Sequence, residues 1–207
     1  GLSVSNYTSN LFGFSYKFSN LPVHKVVPKG LEYGASIAAG QRTVMNEGAD
    51  EQSAFVEFEA RANFAYSLFK SIVFMQNGLK VAAKSVAGSK NISKKLFVNE
   101  LYWLGGSSML RGFDEESILT NQYVLSENEV HFLIGQPLSL FSFIDLAGLS
   151  LIQPDKTQNE LLLGTGVGLS IQTKTGKFSF SYALGSGAGQ NLSLKDARVH
   201  VLYDSFF

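Results

Sequence analysis

The sequence contains no cysteine and only 4 prolines among its 207 residues. The absence of cysteine excludes disulfides, cysteine-ligated zinc and thiol catalysis, and it is compatible with any cellular compartment. Charged residues are also scarce, at 16% of the chain, whereas a globular domain averages roughly 25%. So low a content of charged residues favours surroundings other than plain water. The chain length indicates a single domain.

Long apolar runs are missing as well. No stretch reaches the ~18 apolar residues that a transmembrane helix requires, and the sequence shows no charged-then-apolar leader at Gly1. We therefore expect no spanning helix, and we expect an exported form to be already processed. The 17 basic and 17 acidic residues balance each other without blocks of one sign, which argues against a nucleic-acid partner.

The residues that are abundant favour strands. Aromatic residues make up 13% of the chain and glycines number 20, a composition that suits many strands and tight turns. From Phe55 to Leu68 apolar residues occupy every second position, and the positions between them include Glu57, Glu59 and Arg61. A strand places these three side chains on one face, whereas a helix would scatter them. The length of this segment matches a bilayer-crossing strand of about 9–11 residues with overhang.

Similar segments recur along the chain, and together they predict eight strands: Leu31–Arg42, Phe55–Leu68, Ser71–Ala87, Gln122–Ile134, Ser139–Ile152, Glu160–Thr173, Gly176–Gly185 and Arg198–Phe207. Residues 1–30 are expected to be a lead-in or plug, although Leu11–Ser19 is also a candidate strand. Because lipid cannot satisfy free backbone groups, a sheet in the bilayer must close. We predict an all-β, antiparallel up-and-down transmembrane β-barrel over residues 31–207, with a long extracellular loop at 88–120. Ten strands, or half of a 16-stranded barrel, are the alternatives to eight.

A glycine-rich motif in the long loop carries a family resemblance. The run Gly105-Gly106-Ser107-Ser108-Met109-Leu110-Arg111-Gly112-Phe113 resembles the Gly-Gly…Arg-Gly-Phe/Tyr signature of the sixth extracellular loop in BamA-type insertases and bacterial surface antigens. The family pattern continues in order with Asn128-Glu129, Phe143-Ile144-Asp145, the strand containing Gly164–Gly168, and a last strand ending in Phe207. Two positions depart from the pattern, since Ala147 stands where the family has glycine and His131 where it usually has arginine.

The resemblance implies that the loop folds back into the lumen and is held there by a loop-lock, consisting of Arg111, Gly112, Phe113, Asp145 and Glu129. An arginine presents five donors in a fixed fork that matches a carboxylate, and a narrow lumen screens such a pair less than a surface does. A solvated arginine in a glycine-rich turn is the alternative interpretation.

Two further sets of residues are assigned to the lumen and to the last strand. We expect the lumen wall to include Glu57, Glu59, Arg61, Gly164, Gly166 and Gly168, with the glycines leaving room for the returning loop. The glycine row lacks the Lys-Ser/Thr ending and the strand-turn-helix context of a phosphate loop. Tyr203 and Phe207 resemble the C-terminal signal by which outer-membrane proteins are recognised for assembly, and an ordinary last strand is the alternative.

The sequence predicts no enzyme, because its histidines are scattered and it lacks a Gly-x-Ser-x-Gly elbow. We expect no cofactor and no metal. The resemblance implies a factor of the Gram-negative outer membrane that inserts or transports polypeptides through a weak seam between Leu31–Arg42 and Arg198–Phe207. Its expected partners are the lipid bilayer and unfolded outer-membrane clients, with a second copy as a candidate. A passive structural or binding barrel with a nearly filled lumen, or a soluble lipocalin-type barrel, are the alternative functions.

Overall fold

The computed structural model describes residues 6–22, 25–45, 50–69, 72–88, 95–153 and 156–206. Nine long strands in this part of the chain form one antiparallel sheet, in the order β1-β2-β3-β4-β7-β8-β9-β10-β11. They are β1 (Tyr7–Ser19), β2 (Gly30–Val44), β3 (Glu51–Leu68), β4 (Val73–Gly88), β7 (Gln122–Gly135), β8 (Leu138–Gln153), β9 (Lys156–Gln172), β10 (Gly176–Ser186) and β11 (Arg198–Ser205). The short strands β5 (Tyr102–Leu104) and β6 (Ile118–Thr120) pair with each other inside the long loop.

The all-β prediction is confirmed, and each of the eight predicted segments overlaps one strand of the sheet. The expected count of eight is nevertheless wrong, because Tyr7–Ser19 pairs with β2 along its whole length, from Tyr7 opposite Val44 to Ser19 opposite Glu32. This part of residues 1–30 is therefore neither a plug nor a lead-in. Its aromatic residues recur at every second position, which is the same period that identified the other strands.

Each of the nine long strands has a largely apolar outer face and a mixed inner face. On β8 every second side chain from Phe141 to Leu149 is buried, whereas those between them lie on the outer face, such as Ile144, which is 50% exposed. A soluble monomer rarely exposes so continuous an apolar surface. Further exposed members of the outer face are Ile37, Val56, Phe58, Val167, Phe180, Tyr182, Val199 and Val201.

The outer face also carries one polar cluster, at the junction of β4 and β7. The Asn77 side-chain amide donates to the side-chain oxygen of Asn128 over 2.7 Å, and the Asn128 amide donates to the Ser126 hydroxyl over 3.0 Å. These bonds satisfy most of the polar groups that would otherwise face an apolar solvent. Within the described residues, no helix has the length and apolar character needed to cross a bilayer.

The two edges of the sheet are β1 and β11, each of which pairs with one neighbour among the described strands. On β1, Phe12 and Phe14 are 86% and 87% exposed, whereas Phe58 on the internal strand β3 is 38% exposed. The predicted seam between Leu31–Arg42 and the last strand is therefore wrong, because β2 is hydrogen-bonded on both sides, to β1 and β3.

Candidate functional site

The candidate site is the long loop between β4 and β7, which folds back against the inner face of the sheet. A 3-10 turn at Val98–Glu100 leads into the β5–β6 hairpin, and the motif forms the tip of that hairpin. Gly105, Gly106 and Gly112 have φ of +108°, +99° and +91°, a region that side chains rarely adopt. The glycines of the motif therefore allow the tight path of the tip.

Apolar side chains fix the tip against the inner face. Leu110 and Phe113 flank the motif arginine and are almost completely buried. They pack in one cluster with Leu104 of the loop and with inner-face residues of the neighbouring strands, namely Leu125, Ala147, Leu149 and Leu162. The burial of two large side chains on both sides of Arg111 holds the arginine close to the strand wall.

Arg111 binds the acids that the resemblance assigned to it. Its Nε and Nη2 donate to the two oxygens of Asp145 over 2.8 and 2.7 Å, and its backbone N donates to the same carboxylate over 3.2 Å. Its Nη1 donates to Glu129 Oε1, and its guanidinium carbon lies 3.7 Å from the ring centroid of Phe143. The structure thus brings together Arg111, Asp145 and Glu129, and it adds Phe143 as a stacking surface.

Asp145 is 0% exposed, so its charge depends on this arginine for compensation. Burial alone would lower the pKa of the Arg111 guanidinium. The hydrogen bonds that Arg111 donates to Asp145 and the charge of Glu129 outweigh that effect, so the pKa of Arg111 lies above its ordinary value. Arg111 is therefore charged at any physiological pH, and each side chain is costly to bury without the other.

His131, which replaces the arginine usual in the family, serves as a partner of Glu129. Its Nε2 lies 2.7 Å from Glu129 Oε2 and its Nδ1 lies 3.4 Å from the hydroxyl of Ser139. The imidazole is buried between the rings of Phe74 and Phe141, at centroid distances of 4.5 and 5.0 Å. Glu129 is thus held from one side by His131 and from the other by Arg111. The sequence marked position 131 only as a departure from the pattern.

The predicted glycine wall is adjacent to the loop at one of its three positions. A Cβ at position 164 would overlap the carbonyl oxygen of Arg111. At 166 it would overlap the carbonyl oxygen of Tyr182 and the ring of Phe143, and at 168 the ring of Phe141 and the carbonyl oxygen of Phe180. Gly185, which sequence reasoning missed, stands directly against the carbonyl of Gly112. The row therefore leaves space for the loop backbone at 164 and for aromatic rings of the neighbouring strand at the other two positions.

The charged residues of β3 lie on the inner face but away from Arg111. Glu57 pairs with Lys84 Nζ at 3.9 Å, and Arg61 pairs with Glu32 at 3.8 Å. Lys84 Nζ also lies 4.2 Å from the ring centroid of Tyr102 in the loop hairpin. Glu57 and Lys84 thus lie beside the hairpin, while Arg61 stays half exposed near the β1 edge and Glu59 is exposed.

A second buried ion pair, which the sequence analysis missed, fastens the start of the described loop to β2. Arg42 Nη1 donates to Glu100 Oε2 over 2.6 Å and to the carbonyl of Lys95 over 2.8 Å. The backbone N of Phe97 donates to the same Glu100 oxygen over 2.8 Å. Both charged side chains are buried. No local sequence pattern links Arg42 to Glu100, since they are far apart in the chain and meet only through the fold.

Tyr203, one of the two residues of the proposed C-terminal signal, lies near the end of β11. Tyr203 is on the outer face, with its ring centroid 4.4 Å from that of Phe178 and its hydroxyl donating to the carbonyl of Thr175 over 3.2 Å. Phe207 lies outside the described residues. The signal assigned to Tyr203 and Phe207 stays a prediction.

An exposed ion pair links the loop tip to the last strand. Arg198 Nε and Nη2 donate to the two oxygens of Asp114 over 2.6 and 3.0 Å. Hydrogen bonding and the charge of Arg198 lower the pKa of Asp114 below its ordinary value of 3.8. A carboxyl whose folded pKa is depressed stabilises the fold above its unfolded pKa and loses this contribution as the pH falls through the folded value.

We expect the stability difference between the wild type and Asp114→Asn to be small, because the pair is exposed. This stability difference should be constant at neutral pH and should shrink below about pH 4, where the aspartate carboxyl of the unfolded chain titrates. Urea unfolding of both proteins at a series of pH values measures the difference. A difference that is unchanged through the acid range would contradict the ion pair as its source.

Comparison with known families identifies the domain type. The family model for the Omp85 superfamily domain matches residues 33–198, a range that includes the motif loop, Asp145, Glu129 and the glycine row. No curated protein matches the chain.

Proposed function

Because the chain belongs to the Omp85 superfamily, whose members are outer-membrane proteins, we propose that it inserts or transports polypeptides at the Gram-negative outer membrane. The observation that carries this proposal is the loop fastened to the inner wall by Arg111, in a sheet whose outer face is apolar. No catalytic chemistry is required, since the work of such a protein is to bind and guide an extended chain. Clients of this kind would bind by pairing with a strand edge.

The direction of the strands bears on how the barrel closes. In an antiparallel sheet of nine strands the first and last run the same way, so β1 and β11 could pair directly only in parallel. Two copies of the chain in the same membrane orientation would also place β11 of one copy beside β1 of the other in parallel. Single-chain bacterial barrels have even numbers of antiparallel strands. We therefore propose that the nine strands belong to a barrel with an even number of strands, in which an odd number of further strands lies between β1 and β11.

Engineered cysteines can test this closure, because the chain has no cysteine of its own. Ser15→Cys on the inner face of β1, combined in turn with Leu202→Cys and Asp204→Cys on β11, should form no disulfide in the membrane-embedded protein. A disulfide requires Cα atoms within about 7 Å. The positive control is Ser179→Cys with Leu202→Cys, since these residues are directly opposite in the β10–β11 ladder. Efficient cross-linking between β1 and β11 would show direct closure and would contradict the proposal.

Reconstitution tests the proposed activity. The purified chain is placed in liposomes, an unfolded outer-membrane barrel client is added, and client folding is followed by protease protection and by electrophoretic mobility without heating. We expect wild-type proteoliposomes to accelerate client folding relative to empty liposomes, and Arg111→Ala to lose most of this acceleration. Client folding at the rate of empty liposomes would instead support the second candidate, a passive structural or binding barrel. That candidate is favoured by the buried Arg42–Glu100 pair, which fixes the loop to β2 independently of Arg111.

A further inference from the structure

The last strand is held by more than its neighbour in the sheet. β11 pairs with β10 from Arg198 opposite Ala183 to Ser205 opposite Gly176. Its first residues also contact the motif loop, whereas the described contacts of Tyr203 are with Phe178 and Thr175 on the β10 side. The two halves of this edge strand are therefore held differently.

The contact between the loop and β11 centres on the peptide groups of Gly112, the residue directly after the motif arginine. The backbone N of Gly112 donates to His200 Nε2 over 3.1 Å. The carbonyl of Gly112 accepts from Arg198 Nη1 and from Gln190 Nε2, each over 3.2 Å. Asp114 adds the ion pair with Arg198. A buried backbone group without a partner is costly, so these side chains give β11 a defined position against the loop.

We propose that the motif loop is a clamp on the edge strand: Arg111 fixes the loop to β7 and β8, and Gly112 and Asp114 fix the Arg198–His200 end of β11 to the loop. His200 and Arg198 are then positioning residues for the edge. The part of β11 from Leu202 to Ser205, whose contacts among the described residues are with β10 and the turn before it, is the part of the strand that opens first. The use of this clamp during polypeptide insertion rests on the proposed function, but the clamp itself does not.

Charge chemistry makes the clamp sensitive to acid. The backbone N of Gly112 can only donate, so Nε2 of His200 must carry a lone pair and the imidazole must be neutral. Protonation turns Nε2 into a second donor and breaks this hydrogen bond. The charged groups around His200 are Arg111, Asp114 and Glu115 from the loop and Arg198 from its own strand. On β10, uncharged Ser181 stands opposite His200, and Lys177 lies further along the inner face.

Hydrogen–deuterium exchange on the full chain in lipid nanodiscs tests the clamp. Loss of the acceptor for a buried N–H commonly costs enough to change local opening about tenfold, so His200→Ala should speed exchange about tenfold in peptides covering residues 198–202. Asp114→Asn should speed it about two- to fivefold, in keeping with an exposed pair. The matched control, Glu116→Gln, changes another exposed acid of the same loop and should leave exchange unchanged.

A pH series separates the clamp from a merely structural role of the side chain. In wild type, exchange of the same peptides, corrected for intrinsic rates, should rise on acidification, because protonation of His200 removes the acceptor for the Gly112 backbone N. His200→Gln keeps an acceptor without a titrating group, so its corrected exchange should stay flat. Exchange in His200→Ala equal to wild type, or an acid response that persists in His200→Gln, would overturn the proposal. Failed client insertion with the expected exchange pattern would refute the proposed function and leave the clamp intact.

Discussion

Arg111→Ala is expected to destabilise the folded protein by about 3–5 kcal/mol, because it leaves the fully buried Asp145 and the partly buried Glu129 without their arginine. Asp145 is completely buried and receives three hydrogen bonds from Arg111, and Glu129 receives a fourth. The stacking of the guanidinium on Phe143 is lost as well. The stability of Arg111→Lys should lie between those of the wild type and Arg111→Ala, since a lysine keeps the charge but not the bidentate fork.

The measurement is urea unfolding in detergent micelles, followed by the mobility of unheated samples. Arg61→Ala is the control, because this arginine also lies on the inner face but its side chain is 50% exposed, and its loss should cost less than about 1 kcal/mol. Asp145→Asn should restore part of the stability of Arg111→Ala by removing the unpaired charge. Equal effects of the two arginine variants, or no rescue by Asp145→Asn, would show that Arg111 does not form a buried lock.

Gly112→Ala is expected to be the second most damaging substitution, at roughly 2–4 kcal/mol from backbone strain together with overlap. The φ of Gly112 is +91°, and a Cβ there would overlap the backbone of Leu184 and Gly185. The methyl group would therefore push the loop from the wall next to the residue that carries the lock. Client insertion should fall in parallel if the loop position matters for activity.

Gly189→Ala separates backbone strain from steric overlap as causes of the destabilisation expected for Gly112→Ala. Gly189 has a similar φ of +80°, but nothing lies within 4 Å of the position that its Cβ would occupy. Its substitution should therefore cost about 1 kcal/mol from backbone strain alone. The same unfolding assay applies to both variants. If Gly112→Ala were no more destabilising than Gly189→Ala, the close contact between the loop and β10 would be refuted.

Alternation of apolar side chains was sufficient to predict the strands, because a period of two is imposed locally by the strand itself. The same alternation marks Tyr7–Ser19 as a strand, with four aromatic side chains on one face: Phe12, Phe14, Tyr16 and Phe18. Treating that segment as a lead-in produced two errors with one cause: the strand count was one too low, and the seam was assigned to β2. Which strand forms an edge depends on pairing, and pairing is not a local property of the sequence.

The site was predictable where a motif marked it and not elsewhere. The resemblance of the motif indicated Arg111, Asp145 and Glu129 as a group, and the structure brings these side chains into contact. The contacts of Arg42 with Glu100 and of His200 with Gly112 span 58 and 88 residues of sequence. Neither contact belongs to a pattern of spacing or composition. Such pairs become visible only when the curvature of the sheet and the path of the loop are known.

The loop also explains how a mixed inner face is tolerated. Within the described residues the inner face carries Glu57, Lys80, Glu127 and Asp145, and each has an ion-pair partner from a neighbouring strand or from the loop. The loop thus supplies compensating charge at the centre of the sheet and apolar side chains around it. Its removal would leave the inner face with unpaired acids and an uncovered apolar cluster.

We expect one face of the sheet to meet lipid while the other encloses the loop, and the remaining assignments depend on this orientation. Adjacent positions at the middle of β2 test it directly, Ile37 on the outer face and Ser36 on the inner face. Single variants Ile37→Cys and Ser36→Cys, each labelled with a small fluorophore, are reconstituted in bilayers of lipids with brominated acyl chains. We expect strong quenching at position 37 and little at position 36. Quenching at 36 in place of 37, or free access of water-soluble quenchers to 37, would show that this face of the sheet does not meet lipid.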